Sequence, residues 1–68
     1  MTQANQILDY LLTGQEITPI EALERFQCFR LAARVYDLRR DGVEIIERTV
    51  HAPNGKHWAA YRLGFAHG

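Results

Sequence analysis

Apolar side chains recur at Ile7, Leu8, Leu11 and Leu12, the i, i+1, i+4, i+5 spacing of a helix with one apolar stripe. Thr2 offers an N-cap and Gly14 a residue just past the C-terminus, so the pattern predicts a first helix over 3–13. Ile17 stands alone, suited to a small strand or an extended connector. Thr18-Pro19-Ile20-Glu21 is a capping box with proline at the first helical position, where its missing N–H costs nothing. It predicts a second helix over 19–26, with Ile20, Leu23 and Ala22 turned inward. Gln27-Cys28 forms the connection. Leu31, Val35 and Leu38, at i, i+4, i+7, then predict a third helix over 29–41 ended by Gly42. Its opposite face carries Arg30, Arg34 and Asp37 at the same spacing.

Past Gly42 the period falls from 3.6 towards 2. Val43 to Val50 is rich in β-branched residues, Ala52-Pro53-Asn54-Gly55 reads as a turn with glycine at a positive φ, and Lys56 to Leu63 resumes in extended form. A hairpin over 43–63 follows, with Ala59, Tyr61 and Leu63 on one face of its second strand and Lys56, Trp58, Ala60 and Arg62 on the other. Gly64 to Gly68 reads as a frayed tail. The predicted class is therefore α+β, a single domain over 1–68 of three helices followed by a two-stranded β-hairpin wing, the order of a winged helix-turn-helix.

Composition narrows the function. With 68 residues, 47% hydrophobic and seven aromatics, the chain has material for one core. No stretch approaches the roughly 18 apolar residues of a membrane span, and no basic, then apolar leader opens the sequence. Cys28 is the only cysteine, which excludes an intrachain disulfide and a multi-cysteine metal site. These features lead us to expect a cytoplasmic protein away from membranes. The net charge of zero conceals an asymmetry: residues 1–24 hold four acidic and no basic residues, and 25–68 hold eight basic and four acidic, hence −4 and +4. Such a split can give a neutral chain one face that attracts phosphate, although scattered solvated charge produces the same arithmetic.

A B-DNA major groove about 12 Å wide admits one helix, and a flanking hairpin reaches the backbone. Helix 3 is then the reader. Arg30 and Arg34 can fork onto guanine or clamp phosphates, while Asp37 can hold Arg34 in place; the plainer reading is a solvated i, i+3 ion pair. Thr18 can present its hydroxyl and neighbouring amides to a phosphate or serve simply as a cap. Asn54, Lys56 and His57 are candidate wing contacts or ordinary turn residues. Trp58, opposite Tyr61, is left partly exposed, as a partner surface or as an aromatic covering the hairpin's own edge. His51 and His57 can approach across the hairpin, yet two histidines without a third ligand make a weak metal case. Cys28 reads as a small buried hydrophobe. No glycine-rich phosphate loop, carboxylate dyad or nucleophile set is present, so neither catalysis nor a cofactor is expected.

The segments Thr18-Pro19-Ile20-Glu21-Ala22-Leu23, Arg25-Phe26, Phe29 through Arg40, Gly42, Asn54-Gly55-Lys56 and Tyr61-Arg62-Leu63 resemble a family of short helix-turn-helix proteins frequent in bacteriophages and prophages. The resemblance implies a winged-helix DNA-binding fold and a phage-related role in transcription regulation, DNA architecture or excision. Gln27 departs from it where glycine is expected in the turn, and must adopt a left-handed conformation or alter the turn. The expected DNA contacts are Thr18, Phe29, Arg30, Ala33, Arg34, Asp37, Asn54, Lys56 and His57, with double-stranded DNA as partner and a homodimer as a second arrangement. The rival class is a protein-interaction module, an inhibitor or adaptor that docks a host protein.

Overall fold

The computed structural model describes residues 3–64. Three helices, α1 (Gln3–Leu12), α2 (Pro19–Phe26) and α3 (Leu31–Arg40), precede two antiparallel strands, β1 (Ile45–His51) and β2 (His57–Leu63). The expected element order holds. Thr2 and the tail beyond Gly64 lie outside the described residues.

Ile7 and Leu11 of α1 meet Ala22 of α2, the Leu31, Val35 and Leu38 stripe of α3, and Ile17, Cys28, Ile45 and Tyr61 in one core. Each fully buried aliphatic side chain contributes about 1.5–3 kcal/mol. Ile17, with no exposed surface, is the hinge of this arrangement. Its N–H donates to the Tyr61 carbonyl at 2.8 Å, and the Tyr61 N–H donates back at 2.9 Å. The connector thereby becomes a one-residue third strand on the free edge of β2.

The capping box at Thr18 forms as the sequence predicts. The Glu21 N–H donates to Thr18 Oγ1 at 3.3 Å, and the Thr18 N–H donates to Glu21 Oε1 at 3.2 Å. The inward face of α2 differs from the expectation, however. Ala22 is fully buried, whereas Ile20 and Leu23 are 62% and 41% exposed. Phe26, half-buried, shares the Ala22 side and stacks edge-on against Tyr10 at 5.9 Å. A two-turn helix with apolar residues on both sides carries no periodicity strong enough to choose its face; close approach of the core selects the alanine.

The third helix also starts later than predicted. Gln27 takes the left-handed conformation at φ 53°, and the Cys28 N–H turns back to the Ala22 carbonyl. Phe29 and Arg30 are thus the last residues of the turn, and helical geometry begins at Leu31. At the far end Asp41 is the cap residue and Gly42 sits at φ 95°. Gln3 of α1 donates to the carbonyls of Phe26 and Gln27 at 3.4 and 3.3 Å, tying α1 to the end of α2.

The hairpin is shorter than 43–63 at its start, since Val43 bonds back to the Leu38 carbonyl. Its register pairs Ile45 with Leu63 through His51 with His57. The loop Pro53-Asn54-Gly55 closes with Gly55 at φ 89° and the Ala52 N–H on the Lys56 carbonyl at 2.8 Å. Tyr61 is buried, with Ala59 and Leu63 half-buried against the core, as predicted. Ala60 on the opposite face is nonetheless only 1% exposed. It sits opposite Arg48 in the register, and Arg48 extends from β1 to grip Glu16 in the connector on the far side of β2. A small side chain at 60 lies beneath that span.

Candidate nucleic-acid interface

The start of α3 presents the most exposed large apolar side chain in the described chain, Phe29 at 84%. Beside it, Arg30 is the N-cap residue of α3, exposed, with no capping bond from its side chain. The predicted continuous stripe of Arg30, Arg34 and Asp37 is broken here, because Arg30 precedes the helix. Arg34 lies one turn in. Its Nη2 stands 3.2 Å from Asp37 Oδ2, and its Nε is buried without a hydrogen-bond partner among the described residues. Asp37 also faces Arg40 Nη2 at 3.8 Å, so one carboxylate lies between two guanidiniums. Arg40 further covers the exposed Tyr36 ring at 5.8 Å. Ala33 is half-buried between these side chains along the chain.

Other basic residues have structural duties. Arg39 donates to the Ile45 carbonyl at 2.8 Å and fixes the start of β1. Arg48 grips Glu16 with two bonds, Nε to Oε2 at 2.7 Å and Nη2 to Oε1 at 2.8 Å. Those bonds hold the Glu16 carboxyl below its ordinary range, helped by the charges of Arg48 and Arg62 and opposed by desolvation. Arg25 rests over the Tyr10 ring at 5.2 Å. Burial pushes the Tyr61 hydroxyl up. The Glu16–Arg48 and Arg39–Ile45 links join residues 32 and six positions apart; no local spacing announces either, and sequence reasoning missed both.

At the tip of the wing, Asn54 Oδ1 accepts from the Lys56 N–H at 3.1 Å, which shapes the loop. The Lys56 and His57 side chains are exposed. Thr18 stands apart, half-buried, its hydroxyl both accepting from the Glu21 N–H and donating to Glu21 Oε1. Both contacts keep that hydroxyl within the capping box. Trp58 is half-buried, and Cys28 is buried as expected. Among the described residues no group of three or more metal-ligating side chains gathers, and no helix is long and apolar enough to cross a membrane.

The geometry therefore offers two basic points, Arg30 with Arg34 at the start of α3 and Lys56 at the wing tip, on a scaffold locked by the Ile17–Tyr61 bridge. No curated protein and no solved structure matches the chain. The model of the winged helix-turn-helix domain matches residues 2–64, and the chain belongs to that family.

Proposed function

We propose that this protein binds double-stranded DNA, with the start of α3 in the major groove and the wing tip on the backbone. The supporting observation is the pairing of an exposed, uncommitted Arg30 with an 84% exposed Phe29 at the leading end of α3. The N-terminal residues of a recognition helix are those that meet base edges. An arginine there suits guanine O6 and N7 or a phosphate, and a phenyl ring suits the thymine methyl, an apolar group in the major groove. Arg34 adds a second guanidinium, oriented by Asp37, and Ala33 leaves room for close approach. Asn54 shapes the wing loop that presents Lys56 and His57 to phosphates. The biological role that follows is phage-related regulation of transcription, or an architectural or excision-type function, in the cytoplasm. Binding rather than catalysis is the activity.

A second reading is favoured by α2. Ile20 and Leu23, three residues apart on its outer face, are exposed and apolar, and with Phe29 they suit a protein surface, either a second copy or a host protein. Fluorescence anisotropy on a random duplex of about 30 base pairs separates the two, because phosphate contacts make log affinity fall linearly with log salt. A slope equivalent to several released counterions supports DNA binding. No binding at low salt overturns it and directs the search to a protein partner.

A further inference from the structure

Two imidazoles face each other at the far end of the wing. His51 closes β1 and His57 opens β2, and the register sets them directly opposite. The ladder bonds flanking this stretch, Ala52 N–H to the Lys56 carbonyl and Gly64 N–H to the Glu44 carbonyl, fall on alternate pairs. By that alternation His51 and His57 form a non-hydrogen-bonded pair, the kind whose Cα atoms lie about 4.5 Å apart and whose side chains come closest. Their ring centroids are 5.9 Å apart with planes inclined at 49°. Both residues are exposed.

That separation is close to what one metal ion demands. A zinc-like ion binds imidazole nitrogen at about 2.0–2.1 Å, and with about 1.1 Å from nitrogen to ring centre, two rings on a tetrahedral ion have centroids about 5 Å apart, widening towards about 6 Å as the angle opens. Histidine χ2 is a broad, soft torsion, so the rings can turn their nitrogens towards a shared ion, and the opened angle accommodates the 5.9 Å separation without backbone movement. The next pair inward on the same face is Thr49 with Ala59, neither of them charged. With no third protein ligand gathered among the described residues, water or another external ligand completes the coordination sphere.

We propose that His51 and His57 form a two-imidazole clamp for a borderline divalent transition ion, Zn²⁺, Ni²⁺ or Cu²⁺, for which imidazole is a fitting ligand, rather than for Mg²⁺ or Ca²⁺. The bound ion ties the strand ends together beside the turn and places positive charge next to Lys56. This assignment stands independently of DNA binding.

The test is calorimetric titration of the untagged chain with each of the three ions, joined by NMR of the histidine rings with Zn²⁺. The expected result is saturable binding that shifts the His51 and His57 ring signals. The second imidazole acts intramolecularly, so H51A and H57A should each weaken binding at least about tenfold. The variant H67A, at a histidine outside the described residues, should bind as the parent does. Thermal melts of both clamp variants report whether the hairpin remains folded, as the exposure of both side chains predicts. Absence of saturable binding at about millimolar ion, affinity unchanged in H51A and H57A, or loss of binding in H67A overturns the assignment.

Discussion

Replacing Arg30, Arg34 and Asp37 one at a time tests the α3 reading, because the three side chains hold different commitments in the free protein. Arg30 makes no capping bond and is exposed, so Arg30→Ala should alter stability by less than about 0.5 kcal/mol. Arg34→Ala removes a partly exposed i, i+3 ion pair, worth about 0.2–0.5 kcal/mol, together with a buried Nε that has no partner among the described residues, and should also be nearly neutral. The effect on DNA is larger. If Arg30, Arg34, Arg40 and Lys56 each neutralise one phosphate, log affinity falls with log salt at a slope of about −3.6, or about 150-fold between 50 and 200 mM. Arg30→Ala then flattens the slope by about 0.9, and costs about 1–3 kcal/mol on a preferred site if the contact is to guanine. Asp37→Asn moves affinity the other way, because it removes the carboxylate between Arg34 and Arg40 and raises the net charge by one. Anisotropy on random duplex DNA, with thermal melts as the control for folding, measures all three variants. Unchanged affinity and slope in Arg30→Ala and Arg34→Ala, with no gain in Asp37→Asn, would refute α3 as the contact surface.

Further consequences concern stability. Thr18→Ala removes the acceptor for the Glu21 N–H and should cost about 1 kcal/mol, lowering the melting midpoint by about 4–8 °C in a domain of this size; an unshifted midpoint would show the box to be idle. Ile17→Ala empties a fully buried site at a cost of about 2–5 kcal/mol, comparable to the whole stability of so small a domain, so a parent-like urea midpoint would contradict its place in the core. Gln27→Gly relieves a left-handed residue at φ 53° and should raise the melting midpoint, by up to about 1 kcal/mol of stability; a lower midpoint would mean that the glutamine side chain matters more than its backbone. The Glu16 carboxyl titrates below its ordinary range when folded, so its contribution is complete above that range and disappears as pH falls through the folded value. The parent should therefore lose more stability than Glu16→Gln between about pH 5 and pH 3 in urea titrations, and equal losses would exclude the Arg48 bond as the cause.

Most of the fold was legible because its signals are local. The capping box places the start of α2 from four adjacent residues, and Leu31, Val35 and Leu38 identify the inner face of α3 because helical periodicity runs unbroken over two turns. The hairpin follows from Pro53-Asn54-Gly55 between two β-rich runs. Ile20 and Leu23 misled for a related reason. In eight residues, two apolar side chains three apart mimic a core stripe, and only the packing of α1 and β2 against α2, with Ala22 in the core, shows that the core takes the smaller side. The third strand formed by Ile17 was open to more than one interpretation, since a single residue has no period.

The candidate site was less legible, and Arg30 shows why. Spacing alone puts it on a helix face with Arg34 and Asp37, and nothing in the sequence marks where that helix begins, since no Ser, Thr, Asp or Asn stands at its N-cap. The boundary is decided by a glutamine in a left-handed conformation and by Leu31 reaching the core. The change bears directly on function: a helical Arg30 would project from the same face as Arg34, whereas an N-cap Arg30 leads the helix and stands beside Phe29. Charge counting was similarly incomplete. The eight basic residues of the latter part of the chain look equivalent in sequence, but Arg39 and Arg48 hold the wing, Arg25 lies over Tyr10, and Arg34 and Arg40 flank Asp37. Arg62 lends its charge to the Glu16 site, and Arg30 and Lys56 remain least committed, one at each end of the proposed DNA surface. A neutral chain with so little uncommitted charge should bind random DNA weakly as a monomer and depend on base contacts near Phe29 and Arg30, or on a second copy, for affinity.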